Sequence, residues 1–188
     1  FQNILIIAIL ITGAGFLSLT EIALAGARKV KLKILAESGD DRAQKVLNLQ
    51  EHSAEFFAAS QIGLNAIAIL GGILGEAAFR PYFVTLIDRV YVGPWTDTIG
   101  FTLSFTLVTS LFILFADLMP KRLAMIAPEK IAISVINPIQ VFIKICKPLA
   151  WMINAIANLL FRLFKVNTIR DDNITFADIS AVMDAGAQ

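Results

Sequence analysis

The sequence is short of the residues from which many functional sites are built. It holds one cysteine, Cys146, and one histidine, His52, in 188 residues. A lone cysteine excludes a disulfide-knit secreted fold. With the only soft ligands this far apart, zinc and iron–sulfur centres have nothing to form around. Charge is scarce too: Asp, Glu, Lys and Arg make up 16% of the chain, against about 25% in an ordinary soluble domain. The net charge of +1 gives no overall bias toward nucleic acid, and no nucleophile–base pair stands out to suggest an enzyme. What is abundant is apolar surface. Hydrophobic residues make up 57% of the chain and mean hydropathy is +0.73, which rules out intrinsic disorder. Water is a poor solvent for such a chain, and the bilayer is the natural one.

Three stretches are long and apolar enough to predict membrane spans. Residues 4–26 are broken only by Ser18, Thr20 and Glu21, and residues 56–75 carry no charge. Residues 101–116 reach the ~20 residues a crossing needs if the helix continues past Asp117. The first stretch lacks the basic flank of a signal peptide and runs past its usual length. The chain starts at Phe rather than Met, as a piece of a longer protein would. Of the 16 Lys and Arg residues, only Arg80 and Arg89 lie between the second and third spans; the other fourteen lie after the first or after the third. This bias predicts an N-terminus outside and a C-terminus in the cytoplasm.

Beyond the third span, residues 131–146 are apolar but short and contain Pro138. They predict either a kinked half-inserted helix or a fourth span bent at proline. Trp151, Asn154, Asn158, Arg162 and Lys165 recur at spacings of three and four, the stripe of a helix lying in the membrane interface. From Arg170 the chain turns polar and acidic, with Thr175 as an N-cap. The predicted fold is therefore an all-α integral membrane domain over residues 1–168. It has three transmembrane helices, a Pro-kinked membrane helix and an interfacial juxtamembrane helix. Residues 169–188 start a cytosolic helical linker.

Polar groups inside the spans need a reason, since an ionisable one costs roughly 2.5–3.5 kcal/mol on insertion scales. Ser18 and Glu21 lie three residues apart, on nearly one face. Glu21 either pairs with Arg28 or Lys29 or belongs to a site, while Ser18 sits deeper. Gly13 and Gly15 allow another helix to approach. Gln61 and Asn65 face one way on the second span, either as glue between helices or as ligands. Gly71 and Gly75, extended by Ala68 and Gly72, favour close packing and point to a dimer interface, and Glu76 ends the span. On the third span, Thr102, Thr106 and Thr109 share a face leading to Asp117, with Pro120 three residues on. Proline donates no N–H and crowds the carbonyl four residues back, here that of Ala116. A freed carbonyl beside a carboxylate suits Mg²⁺, Na⁺ or an ammonium group. The alternative is a helix-end kink with Asp117 paired to Lys121 or Arg122. Taken together, Ser18, Asn65, Ala116 and Asp117 are the expected cation ligands. Thr20, Glu21, Gln61, Thr106, Thr109, Pro120 and Lys121 lie along the expected path.

FLSLTEIALAGARK (residues 16–29), QIGLNAIAIL (61–70) and FADLMPKRLAMIAPEKIA (115–132) resemble, in order, three motifs of the CorC/CNNM transmembrane domain. The resemblance implies three spans and a juxtamembrane helix in a homodimer, followed by a helical bundle and CBS domains that these residues do not include. It also implies Mg²⁺ efflux coupled to Na⁺ entry. By position, Ser18 matches the family's metal-binding serine. Asp117 stands where the family has glutamate, Ala116 where it has glycine, Ala68 where it has asparagine and Leu64 where it has a polar residue. These departures resemble a bacterial subgroup implicated in export of diamines such as putrescine and cadaverine. Such cargo needs carboxylates and hydroxyls around two ammonium groups but no octahedral shell. The expectation is a bacterial inner-membrane cation exporter, with Mg²⁺ as cargo or, alternatively, a diamine. A further alternative is a non-transporting anchor that senses a cation for the CBS domains. The expected partners are the lipid bilayer, a second copy and those domains; Mg²⁺ or Na⁺ is expected only as a bound or carried ion, not as a cofactor.

Overall fold

A computed structural model describes residues 2–163, and every regular element among them is helical. The helices are α1 (Gln2–Gly26), α2 (Lys29–Glu37), α3 (Asp41–Glu51), α4 (Ser53–Ile87), α5 (Thr96–Leu111), α6 (Met119–Ile126) and α7 (Pro128–Leu163). Between α5 and α6 the chain stays helical, winding through residues Phe112–Leu118 as a π-helix. Residues up to Ala150 form one compact unit, and a second begins at Trp151.

Four helices, not three, are long and apolar enough to cross a membrane: Asn3–Gly26, Ser53–Ile87, Thr96–Ile126 and Pro128–Ile153. The fourth of these was expected either as a kinked half-inserted helix or as a span bent at proline; it is one helix, α7, that runs through both Pro138 and Pro148. Within a membrane segment, interior proline is tolerated where neighbours satisfy the freed backbone. The short apolar stretch 131–146 thus lies inside a longer helix. The third span is also longer than expected, since the π-helical turn carries it past Asp117 to Ile126. The side chains of Asn154, Asn158 and Arg162, together with Lys165 and the expected linker at 169–188, lie outside the described residues.

Apolar side chains are distributed as lipid would have them. Ile9 on α1, Ile73 on α4, Phe105 on α5 and Ile113 on the π-helical turn all face outward, because lipid tails give no drive to bury them. The water-type core sits where α1 ends. Leu24, Leu32, Val46, Phe56, Ala124 and Ile136 pack there, joining α1, the α2–α3 hairpin and the starts of α4 and α7. The hairpin turns at Gly39, whose φ of +98° needs glycine. The Asp40 side chain then caps α3 by accepting from the Arg42 amide at 3.0 Å. Arg42 beside it holds that carboxyl below its usual range. Gln50 of α3 donates to the Leu24 and Ala27 carbonyls, both at 2.8 Å, satisfying carbonyls that the end of α1 leaves open. Glu129, at the start of α7, accepts from Arg28 at 3.1 Å and faces Lys31 at 3.5 Å.

The glycine pair on α4 works inside the chain. A Cβ at Gly71 would run into the Phe112 ring, and one at Gly75 into Val108. Both glycines are buried in the seam with the α5 rod, so the expectation that they form a dimer interface is corrected. Gly72, next to them, faces open space.

Candidate functional site

Helical hydroxyls commonly bond the carbonyl one turn back, and many here do. Thr12, Thr20, Thr85, Thr102 and Ser134 each donate to the carbonyl four residues earlier. Ser104 reaches the Phe101 carbonyl at 2.9 Å. Ser18 and Ser60 break this habit. Ser18 is 1% exposed and Ser60 fully buried, yet neither Oγ has a hydrogen-bond partner among the described residues. A buried hydroxyl without a partner forfeits roughly 1–3 kcal/mol, so its retention calls for an explanation.

The π-helical turn supplies the second part. In it each amide bonds the carbonyl five residues back, and Met119 N indeed donates to the Leu114 carbonyl. The next amide would be that of Pro120, which has none. In this register the carbonyl left opposite proline is that of Phe115; in the four-residue register that α6 resumes, it is that of Ala116, as the spacing predicts. The Phe115 oxygen faces α1: a Cβ at Gly15 would lie 3.2 Å from it and 3.2 Å from Pro120 Cγ. A side chain here would press on the neighbouring backbone, so glycine suits this close approach of α1. Ser18, buried and unpartnered, is one turn further along α1. Ala116 is buried on the same side.

Asp117 and Lys121 follow on the same rod. Lys121 Nζ lies 2.5 Å from Asp117 Oδ1, with the two side chains 35% and 48% exposed. The pairing with Lys121 considered from the sequence is therefore formed. Pro120 is buried against α1, and a groove of about 590 Å³ between α1 and the rod is lined by Thr12, Gly15, Phe115 and Pro120.

The remaining expected residues are spread more widely. Thr20 is buried and satisfied by the Phe16 carbonyl at 2.7 Å. Glu21 accepts from Gln61 Nε2 at 3.2 Å, which ties α1 to α4. Asn65 is exposed on α4, and Thr106 is exposed on α5. Thr109 is half-buried. The face of α5 that packs against the rest carries Gly100, Ser104 and Val108 instead of the threonines. Leu64 packs against the core, whereas Ala68 is exposed. Sequence reading passed over Ser60, which lies in a charge-free stretch where one hydroxyl gives little signal. Among the described residues, no three His, Cys, Asp or Glu side chains come together to hold a metal ion.

A proline-broken π-turn packs against a bare glycine of α1, an unpartnered serine lies one turn further along that helix, and the sequence carries a known pattern around them. The family model of the cyclin M transmembrane N-terminal domain, CNNM, matches residues 5–188. The chain belongs to the CNNM family. This CNNM chain is 52% identical over 186 residues to the polyamine export protein of Escherichia coli (strain K12), covering 99% of this chain and 42% of that protein. It is 47% identical over 188 residues to the polyamine export protein of Haemophilus influenzae, covering 100% of this chain and 44% of that one. A UPF0053 protein of Synechocystis is 30% identical over 183 residues, 97% of this chain and 41% of the relative. The CNNM chain thus spans less than half the length of these relatives.

Proposed function

We propose that the chain is the membrane part of a bacterial inner-membrane exporter whose cargo is a small polyamine. The observation that carries this reading is the partner of Asp117. Lys121 is a primary ammonium on a flexible methylene stem, and its nitrogen sits on the carboxylate. That is the chemistry of one end of a diamine, tethered in place. Displacing Lys121 from Asp117 offers the cargo a carboxylate, a carbonyl and a hydroxyl, three oxygen acceptors for the three N–H donors of an ammonium. The names of the relatives from Escherichia coli and Haemophilus influenzae support the same reading.

Mg²⁺ efflux coupled to Na⁺ entry fits these residues less well. Mg²⁺ demands near-octahedral oxygen coordination at 2.0–2.1 Å. The two positions at which the family resemblance implies polar ligands are Leu64, packed in the core, and Ala68. The same proposal includes an N-terminus outside, a second copy of the chain and CBS domains beyond these residues. Transport is tested in sealed inside-out vesicles bearing the full-length protein. Labelled cadaverine should accumulate inside them while Mg²⁺ does not. Mg²⁺ accumulation without cadaverine would overturn the cargo, and accumulation of neither would favour a sensing anchor.

A further inference from the structure

The hairpin end of α4 and α5 holds a second polar group that the site above leaves unused. Arg80 Nε donates to Asp97 Oδ1 at 3.1 Å, Arg80 Nη2 donates to Asp97 Oδ2, and Arg80 Nη1 reaches Glu76 Oε1 at 3.5 Å. The guanidinium carbon stands 5.8 Å from the centre of the Phe101 ring. Two carboxylates against one guanidinium leave one negative charge uncompensated. Of the two, Glu76 is the freer: 3.5 Å is long for a charge-assisted bond, which normally closes to about 2.7–2.9 Å. Beside it runs a groove of about 340 Å³, with Ala68, Gly72 and Ile73 on one wall, Phe101 and Phe105 on the other, and Glu76 at the end. The two rings are stacked, with centres 6.0 Å apart.

A groove that is apolar along its length, aromatic on one wall and singly anionic at one end complements an alkyl chain with a terminal ammonium. We propose that it is an alkylammonium-binding site. The ammonium rests on Glu76 and beside the Phe101 ring, where the ring quadrupole attracts a cation, and the methylene stem lies against Ala68, Gly72 and Ile73. That a polyamine is the natural occupant rests on the export reading above; the site itself is defined by its own residues on α4 and α5, whereas Asp117 lies on the π-helical turn.

The test uses full-length protein in nanodiscs, titrated calorimetrically with pentylamine after subtraction of empty nanodiscs. An Asp117→Asn background removes the first site. Gly72→Leu puts a side chain into the groove from a position where a Cβ meets no atom within 4 Å. Asp117→Asn protein should still bind pentylamine. Adding Gly72→Leu or Glu76→Gln should weaken that binding about tenfold or more, the loss expected for one charge-assisted contact. Three results overturn the site: no binding by Asp117→Asn protein, unchanged binding after both additions, or a shift from dimer to monomer on Gly72→Leu with amine binding intact. The last would make the groove a contact between copies. Loss of cadaverine flux in the parent, with pentylamine binding to the groove retained, would overturn the export reading and leave the site standing.

Discussion

The buried Ser18 hydroxyl has no hydrogen-bond partner among the described residues and the Phe115 carbonyl has lost its amide, so each lacks what an ammonium would supply. Apart from Ser60, the other buried hydroxyls among the described residues are satisfied locally, Thr20 by the Phe16 carbonyl and Ser104 by that of Phe101. An ammonium bound between Ser18, Phe115 and Asp117 would satisfy all three groups together. Ser18→Ala should therefore weaken cadaverine binding by about threefold to tenfold, the worth of one net hydrogen bond of roughly 0.5–1.5 kcal/mol, without lowering the thermal stability of the protein. Calorimetric titration and a melting curve check both halves. A loss of stability with unchanged affinity would assign the hydroxyl to packing.

At the scale of elements, the π-helical turn is the part of the third span that makes the site. Pro120→Ala would give the Phe115 carbonyl an amide to accept from, and we predict weaker cadaverine binding with the fold intact, read by titration and circular dichroism. The α4–α5 seam is tested by Gly71→Leu, which would drive a side chain into the Phe112 ring. Overpacking of this kind costs about 1–3 kcal/mol and should lower the melting temperature while leaving cross-linked dimers intact. Helix content was legible in the sequence because apolar runs leave few alternatives in a bilayer. The role of Pro120 was legible as well, since a missing amide is a property of the residue. That it leaves the Phe115 carbonyl open as well was not: that depends on a five-residue register, which residue spacing does not announce. The same limit applies to Gly71 and Gly75, whose spacing predicts close approach but not the partner. It applies too to the threonines of α5, whose shared face says nothing of which way the helix is turned.

For the whole molecule, topology follows from where the cations lie. With three crossings, fourteen of 16 basic residues fall on the cytoplasmic side. Cysteines introduced at Ser38 and Thr96 should accordingly label from opposite sides of the membrane, Thr96 from outside; labelling of both from one side would overturn the orientation. The helical bundle, the four long apolar helices and membership of the CNNM family place the chain in a membrane, and the identity of its cargo turns on Asp117. The most direct measurement is cadaverine binding to the full-length protein, its Asp117→Asn variant and its Lys121→Met variant, each repeated with Mg²⁺ as competitor. The account predicts binding by the parent, at least about tenfold weaker binding by Asp117→Asn from loss of a charged acceptor, and equal or tighter binding by Lys121→Met, which removes the tethered ammonium. It also predicts no competition by Mg²⁺. Unchanged cadaverine binding in Asp117→Asn, or tight Mg²⁺ binding by the parent that cadaverine does not disturb, would contradict it.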